Sequence, residues 1–295
     1  MNRRQFGHLA AAAAASPWLP ACVEGADEPV IPAPAGGQGA LVSGEATRAF
    51  APGGQSFQLA PLRNYVDVLD PSGRPIARIG SADRVPTSAV GDVSGPVAAA
   101  WDAASNRVLV LERGNARVQA FDSFGGSLGV VAAVDPSSDL AVDDRDGTIY
   151  VAVSSTHRIQ VFTAAGAAAG TIGRFGIDRP GLNGPVSVAV GPDGTLHVVD
   201  AGSASVKVFK TDGAFVGSYG AAGDARLVGP RAIRFDAAGR AWVADTLGAA
   251  VQVYDARGTL LSRVSPRLAD GRLAAPVALG LRADRAMYAA VIAGA

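Results

Sequence analysis

Apolar and polar residues alternate with a period of two along most of the chain, as in Leu196-His197-Val198-Val199 and Val251-Gln252-Val253-Tyr254. That is the spacing of strands with one face turned to a core. The alternating stretches are short, and Gly, Pro, Asn and Asp separate them. They also recur in register. With Ala60, Glu112, Val153, Asp200, Asp245 and Val291 as reference positions, the blocks repeat every 41–52 residues. Six residues before each reference stand Gly54, Asn106, Gly147, Gly194, Gly239 and Arg285, mostly residues that tolerate the positive φ of a tight hairpin. Three before it come Phe57, Leu109, Tyr150, His197, Trp242 and Tyr288. Nine after it come Leu69, Phe121, Phe162, Phe209 and Tyr254, and thirteen after it Gly73, Gly125, Gly166, Gly213 and Gly258. Sixteen or seventeen before it stand Gly44, Gly95, Pro136, Gly184, Gly229 and Ala275, most followed by Pro.

Four short strands in about forty residues make one blade of a β-propeller. A twisted four-stranded sheet cannot cover its own faces, and packing such sheets around an axis covers them and leaves only short edges. The units Gly184-Pro185-Val186-Ser187-Val188-Ala189-Val190 … Val198-Val199-Asp200 … Val206-Lys207-Val208-Phe209 resemble NHL repeats, as do Ile149-Tyr150-Val151 … Thr156-His157-Arg158-Ile159-Gln160-Val161-Phe162. The resemblance covers about 44–295 and implies an all-β, six-bladed propeller with four-stranded blades. Blade 1 (44–80) keeps the spacing but has lost most polar positions of the pattern. Blade 6 (275–295) supplies only two inner strands, so the last blade is incomplete at the C-terminus. Part of 27–43, around Val30-Ile31, is expected to lend it an edge strand, the one setting that tolerates Pro29, Pro32 and Pro34.

Ahead of the repeats, 1–22 reads as an export signal: Arg3-Arg4, an Ala-rich run too short to span a bilayer, then small residues. The paired arginines before Gln5-Phe6 resemble the twin-arginine export motif, with Asn2 where Ser or Thr is commoner. Leu19-Pro20-Ala21-Cys22 resembles a lipobox with an unusual Pro20, which implies a lipidated Cys22 and membrane attachment. The alternative is ordinary cleavage nearby, with Cys22 lost or free. Residues 23–43 form a Pro/Gly/Ala-rich tether, and 44–295 the propeller. The address implied is the periplasm or cell envelope.

Composition removes several functions. The 295 residues include Lys+Arg 26 and Asp+Glu 26, so no excess charge is present to hold a nucleic acid. A single cysteine excludes an intrachain disulfide and a cysteine-based zinc site. There is no Gly-x-Ser-x-Gly elbow, no phosphate-binding Gly-Lys-Ser loop and no Cys/His pair.

One face of the ring is expected to carry the turns at 61–64, 113–116, 154–157, 201–204 and 246–249. The same face carries crossings at about 80–95, 128–137, 173–184, 220–229 and 265–275. Loops held on a rigid frame are where binding residues concentrate. Arg63, Arg113, His157, Arg174 and Arg179 are the candidate ligand face, an arginine-lined mouth for an anionic or carboxylate-bearing group. The competing reading is a merely solvated surface. Glu112, Asp200 and Asp245 read as scaffold contacts, Glu112 with Arg117 among them, and His197 as an aromatic-sized packing residue. No catalytic, metal or cofactor residue is assigned and no cofactor is implied. The chain is read as a monomeric, non-enzymatic binder of a protein, peptide or envelope component. The alternative is a periplasmic metal-dependent hydrolase or lyase at the channel mouth.

Overall fold

The computed structural model describes residues 48–60, 63–80, 87–267, 272–281 and 287–293. Every regular element longer than a single helical turn in these residues is a strand, as the period of two requires. The first sheet contains β1 (Arg48–Phe50), β2 (Ser56–Ala60), β3 (Tyr65–Leu69) and β4 (Pro75–Gly80). The second contains β5 (Pro96–Asp102), β6 (Arg107–Glu112), β7 (Arg117–Phe121) and β8 (Ser127–Ala133), and the third β9 (Asp139–Val142), β10 (Ile149–Val153), β11 (Arg158–Phe162) and β12 (Ala168–Ile172). The fourth contains β13 (Pro185–Val190), β14 (Leu196–Asp200), β15 (Ser205–Phe209) and β16 (Phe215–Tyr219). The fifth contains β17 (Pro230–Phe235), β18 (Ala241–Asp245), β19 (Ala250–Tyr254) and β20 (Leu260–Val264), and the last β21 (Ala274–Leu281) and β22 (Met287–Ala293).

All pairings within these sheets are antiparallel between sequence neighbours. The innermost strands form a cycle: β1 packs on β5, β5 on β9, β9 on β13, β13 on β17, β17 on β21, and β21 on β1. Five sheets have four strands and the last has two among the described residues, so the expected six four-stranded blades are met by five. The two strands that stand there are the inner pair expected from 275–295. The segment 27–43, the signal 1–22 and Cys22 lie outside the described residues.

The columns of the repeat have physical causes. Gly73, Gly125, Gly166, Gly213 and Gly258 take φ of 83, 87, 85, 89 and 82°, a region that a side chain makes costly. Phe121, Phe162, Phe209 and Tyr254 each end the third strand of a sheet, opposite Val108, Ile149, Leu196 and Ala241, and all are buried. The core is divided into layers between neighbouring sheets. Phe57, Leu59, Val66 and Val68 of the first pack on Val108, Val110 and Phe121 of the second. Tyr150, Ile159 and Ile172 of the third pack on Val188, Val198 and Phe209 of the fourth, and Trp242 and Val253 of the fifth on Leu279 and Ala289 of the last. Removing one such aromatic costs about 3–5 kcal/mol. One crossing is shorter than expected: β8 extends to Ala133, so only 134–138, not 128–137, links the second sheet to the third.

Candidate functional site

The second-to-third-strand turns and the crossings share one end of the ring, the loop-bearing face, and hydrogen bonds join them. Arg113 N donates to Gly95 O at 3.0 Å, Ala201 N to Gly184 O at 3.1 Å and Thr246 N to Gly229 O at 3.0 Å. The reference acids complete this join. Ser94 N donates to Glu112 Oε2 at 2.9 Å, Asn183 N to Asp200 Oδ1 at 2.6 Å, and Gly229 N to Asp245 Oδ1 at 2.7 Å. Each carboxylate is fully buried and caps backbone donors of the crossing that leads into its own sheet. The scaffold reading of these three residues therefore describes their geometry, and the expected Glu112–Arg117 ion pair is present at 2.8 Å.

Seven residues beyond each reference lies a column that the sequence reading did not use. Gln119 Nε2 donates to Glu112 Oε1 at 2.6 Å and Asp92 O at 2.7 Å; Gln252 Nε2 donates to Arg226 O at 3.1 Å. In the fourth sheet the position holds Lys207, 2% exposed, with Nζ 3.1 Å from Asp200 Oδ2 and a further bond to Gly181 O. The ion pair occupies the place of an acid–amide bond, and its charges are balanced inside the blade. Arg117 adds bonds to Ser88 O, Ala89 O and Asp92 O, fixing the crossing after β4.

Of the predicted ligand-face residues, His157 is committed to the frame. It ends a 3-10 turn at φ 55°, its Nδ1 accepts from Gly184 N at 3.0 Å, and its ring lies 4.7 Å from Phe175. Because Nδ1 accepts, the neutral ring carries its proton on Nε2. Asn64 fills the same turn position two sheets earlier and accepts from Gly95 N at 2.8 Å, so both side chains tie a turn to the next blade. Arg113 is exposed and reaches Ser137 O through Nε at 3.3 Å. Arg63, Arg174 and Arg179 are exposed. Arg174 and Arg179 share the 173–184 crossing with Phe175 and so with His157.

Half of the exposed large apolar side chains among the described residues also lie on this face: Val90, Phe175 (60%), Ile177 (79%), Val228, Leu247 (76%) and Leu273. Most of the others sit on outer strands. In the ring interior a second cluster escaped the sequence. Arg234 on β17 crosses to Asp139 on β9, with NH1 and NH2 2.9 and 3.0 Å from the two carboxylate oxygens, and Ser187 on β13 joins them at 2.5 Å from Asp139 Oδ2. A fork-to-fork pair of this kind clamps three inner strands. The available signal was that Asp139 and Ser187 occupy the strand position held by Ala98 and Ala232 in the neighbouring sheets.

His197 behaves as a packing residue. It is 2% exposed, with Nδ1 3.0 Å from Tyr219 Oη, Nε2 3.0 Å from Thr195 Oγ1 and Phe235 edge-on at 4.9 Å. Burial drives its pKa down to about 4, against a smaller opposing pull from Asp193. Among the described residues no group of three or more His, Cys, Asp or Glu is placed to hold a metal ion, and no helix is long and apolar enough to cross a membrane.

Solved structures share the arrangement. A streptogramin B lyase superposes with a TM-score of 0.58 at 15% identity, covering 84% of this chain and 91% of that one. The fold is a β-propeller. A catalytically inactive virginiamycin B lyase from Staphylococcus aureus with quinupristin gives 0.61 at 13% identity, covering 84% and 78%. A gluconolactonase from Xanthomonas campestris gives 0.62 at 18% identity, covering 84% and 82%. These likenesses concern the fold. No protein-family model matches the chain, and no curated protein matches its sequence, so the NHL resemblance stands on the repeat residues alone.

Proposed function

We propose that the chain is an exported, lipid-anchored, six-bladed NHL-type propeller that binds a protein, peptide or envelope component through its loop-bearing face, without catalysis. In this reading β21 and β22 are the inner half of the sixth blade, and an N-terminal strand from 27–43 completes it. The observation that carries the reading is the coincidence, on one rigid face, of exposed arginines with exposed Phe175, Ile177 and Leu247. The polar work of the frame is done by Glu112, Asp200, Asp245 and the amide column rather than by Arg174 or Arg179. Exposed arginine and aromatic or aliphatic side chains together are the composition of binding surfaces.

The neighbours' activities keep an enzyme as the second reading. The structural likeness favours it, while the commitment of His157 Nδ1 and both nitrogens of His197 to protein partners weighs against it. The deciding experiment measures retention of envelope components on the immobilised protein and on an Arg174→Glu/Ile177→Ser/Arg179→Glu variant. Retention by the parent and its loss in the variant is the expected result. Equal retention by both, or measurable lyase or gluconolactonase turnover by the parent, would overturn the reading.

A further inference from the structure

The crossing that leads into the fourth sheet carries the one Asn-Gly pair of the sequence, Asn183-Gly184. In such a pair the glycine amide nitrogen can attack the asparagine carboxamide carbon and close a five-membered ring, because glycine places no side chain in its path. The structure sets a base against that nitrogen: Gly184 N–H donates to His157 Nδ1 at 3.0 Å. A neutral imidazole within hydrogen-bond reach of the proton to be removed has the placement of a general base. The main chain beside it is held in place. Asn183 N donates to Asp200 Oδ1 at 2.6 Å, Gly202 N to Asn183 O at 2.8 Å and Ala201 N to Gly184 O at 3.1 Å. The Asn183 carboxamide is not held: among the described residues no hydrogen bond reaches it. It lies over Gly202, where a Cβ would strike it, while a Cβ on Gly184 would meet nothing within 4 Å, which leaves room for the two groups to close. The other described asparagines differ. Asn64 is bonded through its carboxamide to Gly95 N and Asn115 to Thr87 O and Glu112 Oε2, and Asn106 precedes Arg107.

We propose that Asn183 is a site of self-modification, with Gly184 N the nucleophile and His157 the base. The bond from Gly184 N to Asn183 Cγ forms as His157 Nδ1 takes the amide proton. The Cγ–Nδ2 bond breaks, and ammonia leaves with that proton. Water then opens the succinimide at one carbonyl or the other, giving aspartate or isoaspartate at 183. Both products add a negative charge to the residue whose N–H is bonded to the Asp200 carboxylate. Isoaspartate also lengthens the main chain by one carbon just ahead of Pro185, which pairs with Asp200 at the start of β13. The same crossing carries Arg174, Ile177 and Arg179, so conversion alters the proposed binding face slowly and in one direction. The modification goes beyond the binding reading and stands without it, since it is read from covalent structure.

The test holds the purified full chain in neutral buffer and follows each asparagine by peptide mass, with isoaspartate recognised by its separate elution. Asn183 is expected to gain the mass of an amide-to-acid exchange, with its new oxygen drawn from isotopically heavy water, well before Asn64, Asn106 or Asn115. His157→Asn is the diagnostic variant. Asn64 shows that an asparagine in this turn position takes the positive φ and accepts the N–H of the crossing, so the joint is kept while the base is lost. Conversion at Asn183 should then slow by about a hundred-fold, the lower end of general-base assistance, and thermal melting checks that the variant is folded. The parent unfolded in urea, where His157 no longer stands beside Gly184, is the second measurement and should convert more slowly than the native chain. No mass gain at Asn183, a gain shared equally with Asn106, an unchanged rate in folded His157→Asn, or a native chain slower than the unfolded one overturns the proposal. Loss of envelope retention by the immobilised protein would remove the binding reading and leave the modification standing.

Discussion

The two ends of the ring solve the same turn problem with different residues. At the hairpin end, glycine takes the positive φ and an aspartate closes the turn: Asp70 accepts from Ser72 N and Arg74 N, Asp122 from Phe124 N and Gly126 N, and Asp255 from Arg257 N and Thr259 N. At the loop-bearing end the turns between second and third strands put non-glycine residues at positive φ, Asn64, Ala116, His157, Ala204 and Ala249, with φ of 54, 49, 55, 46 and 46°, whereas the hairpin end does so only at Asn106 among the described residues. There Glu112, Asp200 and Asp245 are withdrawn into the blade, where they cap the crossings. The hairpin end is thus sewn up with its carboxylates outward. The other end carries local strain in its turns and exposes Arg63, Arg174 and Arg179 beside Ile177 and Leu247, the side chains on which the proposed binding role rests.

The largest effect should come from the acid anchors. Glu112 is fully buried and holds Arg117, Gln119, Asn115 and Ser94 N together. Glu112→Ala leaves a guanidinium buried without its carboxylate, which costs about 3–5 kcal/mol. Denaturant unfolding should register that loss, against a much smaller one for Asp70→Ala in a solvent-facing hairpin. Equal losses would erase the distinction between internal and external acids.

The pH dependence should separate the ends next. His197 sits beneath the hairpin turn of Asp193, through Thr195. Its folded pKa near 4 lies below the unfolded value of about 6.5, so the neutral ring contributes fully above pH 6.5. As pH falls from 6.5 toward 4 the unfolded chain takes up a proton that the folded chain refuses, and stability drops by roughly 3 kcal/mol. The hairpin carboxyls Asp70, Asp143, Asp193, Asp236 and Asp255 are all held below their ordinary value: hydrogen bonds lead at Asp70, Asp143 and Asp255, while at Asp193 and Asp236 the upward push of burial is outweighed by the bonds from Thr195 and from Trp242 and Arg240, so their contribution survives until pH falls below about 4. A melting-temperature profile should therefore show two acid limbs. The double variant His197→Phe/Tyr219→Phe, which leaves no orphaned hydroxyl, should flatten the upper limb and keep the lower one.

What the sequence made legible follows from locality. The glycine columns, the buried third-strand aromatics and the packing role of His197 are properties of one hairpin or one sheet, and the repeat prints each several times. The caps on Glu112, Asp200 and Asp245 were read as scaffold, but their donors lie 16–18 residues upstream, across the sheet, where a turn-by-turn reading does not look. Lys207 carried no role in the sequence reading, because its carboxylate partner Asp200 stands on the neighbouring strand. The Asp139–Arg234 clamp joins residues 95 apart and exists only because the ring brings β9 and β17 to one axis. His157 was chosen for its place on the face, which is right, but the Gly184 N–H that occupies its Nδ1 belongs to the next blade.

The finest test exchanges the two turn chemistries within one sheet. Ala204 holds φ 46° at the loop-bearing end, and Gly213 holds φ 89° at the hairpin end with nothing nearer its would-be Cβ than Ile172 at 3.7 Å. Gly213→Ala therefore measures the backbone term almost alone and should cost about 1 kcal/mol. Ala204→Gly relieves a similar strain but adds freedom to the unfolded chain, so it should stabilise by only about 0.5 kcal/mol. Opposite signs in urea unfolding are the required result. If strain at the loop-bearing end also serves to hold the arginine crossing in place, Ala204→Gly should raise stability while slightly weakening binding. A gain in both would mean that the alanine turns carry no functional cost, and the contrast between the ends would reduce to charge and apolar exposure.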